Sequence, residues 1–141
     1  MSPPTADPNN TEPLRILVAE DNPVNRKFIL QVLAKSGHQA VGVSNGQEVL
    51  DAVDEATNDF DVILMDCQMP VLDGYGATTA IREREAQSSG HLPIIAVTAH
   101  AMEENRQQCL SAGMDLFVTK PFRTKDLLSV VRQAAELRVR A

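Results

Sequence analysis

The chain has 141 residues, 43% of them apolar and 4% aromatic, with 13 Lys and Arg against 19 Asp and Glu for a net charge of −6. That is enough for one domain with a core and too little for two, and the acidic balance is the reverse of what a nucleic-acid-binding surface needs. No apolar run approaches the roughly 20 residues that span a bilayer and no signal-peptide pattern opens the chain, so the expectation is a soluble, cytoplasmic protein without membrane contact.

Residues 1–13 hold four of the eight prolines and almost nothing to bury, and are read as a flexible leader. The domain is expected over residues 14–138, with a short tail at 139–141. Arg15-Ile-Leu-Val-Ala19 is short, rich in branched residues and followed by two acids, as a buried parallel strand would be. Asn22 and Pro23 then supply a cap and a favoured first helical residue, and Val24, Phe28, Ile29, Val32 and Leu33 recur at helical spacing until Gly37. The pattern repeats: a strand over Ala40 to Ser44, an Asn45 cap and a helix carrying Val49, Leu50 and Val53. A third strand over Asp61 to Met65 ends at Asp66, before a Pro70/Gly74 loop and a helix from about Tyr75 to Glu85. Ile94 to Val97 precedes a helix from about Glu103 to Ala112 that Gly113 stops, and Leu116 to Val118 precedes Lys120-Pro121 and a last helix carrying Leu127, Leu128 and Val131.

Five strand–helix units imply right-handed crossovers and an α/β fold, a single doubly wound five-stranded parallel sheet with five helices. Functional groups in such sheets gather beyond the carboxyl ends of the strands. Those positions hold Glu20 and Asp21, Asp66, Thr98 and Lys120. Of three clustered carboxylates some must protonate or a cation must neutralise them, and oxygen-only ligands select a hard divalent ion, Mg²⁺ above all, with Mn²⁺ as a substitute. A carboxylate beside Mg²⁺ and an ammonium, with a hydroxyl opposite, is equipped to accept a phosphoryl group. Taken singly, each residue reads more simply: an Asp after a strand is commonly a cap, a Thr there caps the next helix, and a Lys before Pro is a solvated charge. Their occurrence at every functional strand end favours a site.

The chain from Leu14 to about Leu137 resembles the receiver domain of two-component response regulators. The resemblance rests on Val18-Ala-Glu-Asp-Asn-Pro-Val-Asn25, Leu64-Met-Asp-Cys-Gln-Met-Pro70 with Asp73-Gly74, Val97-Thr-Ala99, and Ala112-Gly-Met-Asp-Leu-Phe-Val-Thr-Lys-Pro-Phe122. It implies a flavodoxin-like fold with Asp66 as phosphoacceptor, Asp21 as direct Mg²⁺ ligand, Glu20 assisting through water and the Gln68 main-chain carbonyl completing the metal shell. It further implies that Lys120 pairs with the phosphoryl group, that Thr98 senses it, that Phe117 is the aromatic that turns inward as Thr98 moves, and that the Lys120-Pro121 bond is cis. Gln68 and His100 fall where family members tune phosphoryl lifetime. Glu20 departs from the Asp that many members carry, yet still reaches a water. The Asn-Pro-Val-Asn and Met-Asp-Cys-Gln-Met-Pro stretches are similar to receivers attached to hybrid sensor kinases, so the implied partner is a histidine kinase or a histidine phosphotransfer domain and not nucleic acid. The implied docking surface is the first helix near Asn22 to Lys27 with the Pro121 loop, and self-association through the last helix and strand is a common family behaviour. With about ten residues after Val131, the expectation is a single-domain regulator or an excised hybrid-kinase receiver.

Other signals weigh less. Gly74-Tyr-Gly76 follows a Pro-containing loop and lacks the third glycine of a dinucleotide motif, and P-loop spacing is absent. His38, His91 and His100 have no metal-ligand spacing and read as surface or loop histidines. Cys67 and Cys109 form no CxxC pair, which fits a reducing compartment, and Cys67 reads as buried filler. The basic C-terminal helix reads as a solvated face. A flavin phosphate would be repelled by Glu20 and Asp21. Two alternatives compete with the phosphoacceptor. A Mg²⁺-dependent aspartyl phosphatase or phosphotransferase is disfavoured because Gln68 stands where a general-acid Asp would. A partner-binding pseudo-receiver is disfavoured by the complete acid, Thr and Lys set.

Overall fold

The structure, a computed structural model, describes residues 12–55, 59–99 and 103–139. Its elements follow in the order β1 (Arg15–Ala19), α1 (Pro23–Lys35), β2 (Gln39–Val43), α2 (Gly46–Asp54), β3 (Val62–Asp66), α3 (Gly74–Glu85), β4 (Ile94–Thr98), α4 (Glu103–Ala112), β5 (Leu116–Thr119) and α5 (Thr124–Ala135). The strands form one parallel sheet in the order β2-β1-β3-β4-β5. The order reverses beside β1, so the ends of β1 and β3 open on the crevice where such sheets bind ligands.

Alternation along the central strands sorts the core into two layers. Ile16, Val18, Val62, Leu64, Ile95 and Val97 face α1 and α5, where Ile29, Leu33, Leu127 and Val131 meet them. Leu17, Ile63, Met65, Ile94 and Ala96 face the other helices through Val49, Ala77, Ile81 and Cys109. The continuous apolar runs of β1, β3 and β4 are thus buried on both faces, whereas β2 and β5 at the edges are half exposed. Each fully buried Leu or Ile is worth about 2 kcal/mol relative to exposure, so the sheet centre carries most of the stabilisation.

Local chemistry sets the helix starts. Asn22 Oδ1 accepts from Val24 N at 2.9 Å and Asn25 N at 3.1 Å, with Pro23 in the first turn. Asn45 Oδ1 accepts from Glu48 N at 2.9 Å, and Glu48 Oε1 reaches back to Ser44 N at 2.6 Å. That return bond takes the N–H of Ser44, and β2 stops at Val43 instead of continuing to Ser44. Asp73 caps Gly76 N at 2.8 Å, which starts α3 at Gly74. Gly37 and Gly113, with φ of +88° and +106°, end α1 and α4 in the left-handed region.

Two sequence readings shift. Asp66 is the last residue of β3, paired with Val97, and does not merely follow it. His38 is not a surface histidine: it is buried, and its Nδ1 accepts from Leu14 N at 3.0 Å. The fold also makes contacts at both expected boundaries, since Arg132 donates to Glu12 O and Val139 bridges antiparallel to His91. Leader residues 1–11, tail residues 140–141 and His100 lie outside the described residues. Among the described residues no helix is long and apolar enough to cross a membrane.

Candidate functional site

The carboxyl edge of the sheet is held in place by main-chain bonds beyond the strands themselves. Glu20 N donates to Val43 O at 3.0 Å, Cys67 N to Val97 O at 3.2 Å and Lys120 N to Thr98 O at 2.7 Å, so the strand ends stay in register where the side chains must converge. Gly74 brings the start of α3 onto the same spot: a Cβ there would lie 2.3 Å from Asp66 O, and its N–H donates to Cys67 O. Only glycine permits that approach. The Lys120-Pro121 bond is cis, as expected.

These constraints bring together Glu20, Asp21 and Asp66, with one carboxylate oxygen from each within 4.8 Å of the others. Asp66 is 8% exposed and Glu20 2%, whereas Asp21 is exposed. Lys120 Nζ donates to Glu20 Oε1 at 2.7 Å and reaches Asp66 Oδ2 at 3.3 Å. Burial alone would lower the Lys120 pKa, but the hydrogen bond to Glu20 and the charge of Asp66 outweigh it, and the net shift is upward. The group stays an ammonium. Asp66 Oδ1 accepts from Gln68 N at 3.1 Å. Thr98 is buried at the end of β4 and, with Asn25 and Gln68, lines a cleft of about 360 Å³ over these groups.

Three carboxylates against one ammonium leave the cleft two charges short of neutrality. Two carboxylates 4.8 Å apart repel by about 3 kcal/mol at an effective dielectric of about 20. The donor set is all oxygen, and a small divalent cation fits both the charge and the ligand type.

The geometry supports the sequence reading that Glu20, Asp21, Asp66, Gln68, Thr98 and Lys120 share one edge, and it adds what spacing did not reveal. Glu20 is paired directly with Lys120. Cys67 Sγ lies 3.8 Å from Cys109 Sγ, both buried and unbridged. Burial, reinforced by Cys109, pushes the Cys67 thiol up to about 12, which leaves it protonated beside Asp66 and suits packing, not nucleophilic attack. Phe117 is half buried on the α4 side, with the Arg106 guanidinium over its ring. Along α1 the apolar positions split: Ile29 and Leu33 enter the core, while Val24 is 75% exposed and Phe28 48%. Phe28 and Ile29 join Ala99, Pro121 and Phe122 in a groove of about 460 Å³ beside Glu20 and Lys120.

A family model described as "Response regulator receiver domain" matches residues 16–132. Hybrid signal transduction histidine kinase I of Dictyostelium discoideum is 48% identical over 122 residues, 84% of this chain but only 7% of that kinase. The chain thus spans a small part of the curated relatives it matches. Among solved structures, the receiver domain of sensor histidine kinase PA1611 from Pseudomonas aeruginosa PAO1, with magnesium coordinated in its active site cleft, aligns with a TM-score of 0.77 at 37% identity, covering 88% of this chain and 98% of that one. The receiver domain of Ssk1 from Saccharomyces cerevisiae, crystallised with the histidine phosphotransfer protein Ypd1, aligns at 0.80 and 27% identity, covering 87% and 89%.

Proposed function

The chain belongs to the response regulator receiver domains of two-component phosphorelays, and from that premise we propose that Asp66 takes a phosphoryl group from a partner phosphohistidine and that the modified domain switches partner binding. The observation that carries this is the position of Asp66 between Lys120 and two further carboxylates at the mouth of an open cleft. One Asp66 carboxylate oxygen attacks phosphorus in line as the N–P bond to the donor imidazole breaks. The P–O bond forms, and the leaving nitrogen takes a proton from water. Lys120 balances charge on the phosphoryl oxygens, and the Thr98 hydroxyl closes on one of them once the group is attached.

The acidic, all-oxygen donor set fits Mg²⁺, and Mn²⁺ is chemically compatible. Asp21, Asp66 and the Gln68 carbonyl would hold the ion, with Glu20 behind them reaching it through water while pairing Lys120. The ion supplies neutralisation of charge on the transferring oxygens. Gln68 lines the cleft, and by the family resemblance it and His100 occupy the sequence positions that tune how long the acyl phosphate lasts. The chemistry is confined to the domain's own phosphorylation and dephosphorylation, which makes it a switch and not a multiple-turnover enzyme.

The donor is a histidine kinase or histidine phosphotransfer domain. The exposed Val24 and Phe28 and the groove running to Pro121 and Phe122 give an apolar surface next to Asp66, suited to a helix that carries the phosphohistidine. The yeast receiver crystallised with its histidine phosphotransfer protein supports that class of donor.

The test is incubation with Mg²⁺ and acetyl phosphate followed by intact mass. One phosphate per chain is expected in the wild type and none in Asp66→Asn. Wild-type protein that gains no phosphate at any Mg²⁺ concentration would sink the proposal.

A further inference from the structure

Two contacts on one face of α4 bear on the switch. Cys109 touches Cys67, the neighbour of Asp66, at 3.8 Å. Three residues earlier, and therefore on the same helix face, Arg106 carries its guanidinium carbon 4.5 Å from the centroid of the Phe117 ring on β5. One helix thus touches the residue that directly follows the phosphoacceptor and the strand that bears the aromatic. Arg106 is itself solvent-exposed, and the ring beneath it is only half buried. We propose that Arg106 is a positioning residue that holds Phe117 half-exposed and α4 seated, and so sets the resting balance of the switch. The inference rests on the reading of Phe117 as the aromatic that turns inward when Asp66 is phosphorylated.

The physical argument is differential. A cation stacks on a ring face only while that face is presented to it, so the contact exists in the resting arrangement and is lost when the ring moves into the core. An interaction made in one state alone shifts the equilibrium by its own free energy, and one made equally in both shifts nothing. At the strength of a solvent-exposed cation–π contact, removal of Arg106 raises the population of the inward state about two- to fivefold. The rate of phosphorylation by a small donor rises in proportion wherever the inward state is the one that reacts.

The experiment compares the acetyl phosphate labelling rate of wild type, Arg106→Ala and Arg106→Lys, alone and in a Phe117→Ala background. In parallel, the fluorine spectrum of protein carrying 4-fluorophenylalanine is recorded, with the Phe117 line identified by its loss in Phe117→Leu. Arg106→Ala is expected to label about two- to fivefold faster. Its Phe117 line, read without donor, moves toward the position seen after phosphorylation. Arg106→Lys keeps a cation over the ring and falls between, and Arg106→Ala adds nothing in the Phe117→Ala background. An unchanged rate and line in Arg106→Ala, or an equal acceleration without the ring, overturns the inference while leaving the phosphoacceptor reading intact. A wild type that takes no Asp66-dependent phosphate overturns the proposed function instead, and a donor-free Phe117 line that is the same in wild type and Arg106→Ala then overturns the contact as well.

Discussion

The two ends of the sheet treat charge in opposite ways. At the amino ends of the strands Arg82 makes four hydrogen bonds: it donates to Glu85 at 2.7 Å, Asp115 at 2.8 Å, Gly113 O at 2.9 Å and Leu92 O at 2.9 Å. His91 lies 2.7 Å from the same Asp115, whose other oxygen accepts the first N–H of β4 at 2.8 Å. Arg138 donates to Phe60 O and His91 O and pairs with Asp59. The cleft of about 330 Å³ at this end is lined by groups already spoken for. At the carboxyl ends Lys120 pairs with Glu20 and Asp66 but not with Asp21, the third carboxylate of the cluster. Charges that complete each other's hydrogen bonds fasten the start of the strands, and charges left in excess mark where something else must bind.

The sharpest way to break that comparison is Arg82→Ala. It removes four hydrogen bonds from two part-buried carboxylates and two carbonyls at once, and a loss of about 3 kcal/mol in denaturant unfolding is expected. Phosphate uptake in the surviving folded protein should stay at the wild-type level. A loss below about 0.5 kcal/mol would mean that the network is ornamental, as many surface ion pairs are. Gly74→Ala comes next and acts at the other end. Its Cβ would meet Asp66 O at 2.3 Å and Cys67 Cα at 3.0 Å, so α3 and the end of β3 must separate. The expected cost is about 2 kcal/mol, and here the labelling rate falls as well because the displaced atoms belong to the phosphoacceptor.

The same contrast explains what could be read from residue order. The element sequence was legible because β1, β3 and β4 are short continuous apolar runs and because Asn22 and Asn45 are side-chain caps. The functional edge was legible because parallel crossovers put every strand end on one side, whatever the separation along the chain. Contacts between α4 and segments distant in sequence were not: Cys67 and Cys109 are 42 residues apart, and no periodicity pairs them. Arg106 over Phe117 is of the same kind. The amino-end network stayed hidden because Arg82, Glu85 and Asp115 look like any solvated charges, and His91 like any loop histidine. Helical spacing also grouped Val24 and Phe28 with Ile29 and Leu33, because it marks apolar residues without telling a core face from a docking face.

Smaller in size is the response to Mg²⁺, which should stabilise the carboxyl end alone. An ion that binds only the folded state adds about 1.4 kcal/mol at ten times its dissociation constant. A rise in melting temperature with Mg²⁺ is expected for wild type and for Arg82→Ala, and not for Asp21→Ala, which removes the exposed carboxylate of the cluster. An equal rise in all three would place the ion elsewhere.

The smallest effect expected lies at the amino end and appears on acidification. Burial, aided by the charge of Arg132 and opposed by Asp61, lowers the pKa of His38 from the ordinary 6.5. The unfolded chain therefore binds this proton more readily than the folded one. The contribution of neutral His38 is fully present above pH 6.5 and is lost as pH falls through the lowered folded value. Its physical content is the bond from Leu14 N to Nδ1, which the protonated ring cannot accept and which is worth about 1 kcal/mol. His38→Asn offers an acceptor that does not titrate, so the drop in stability between neutral and acidic pH should shrink by about that amount. The imidazole of His38, followed by NMR, should titrate below 6.5 in the wild type. A midpoint at or above that value would mean that the amino end tolerates a buried positive charge, and the view of it as a closed, fully matched network would have to be given up.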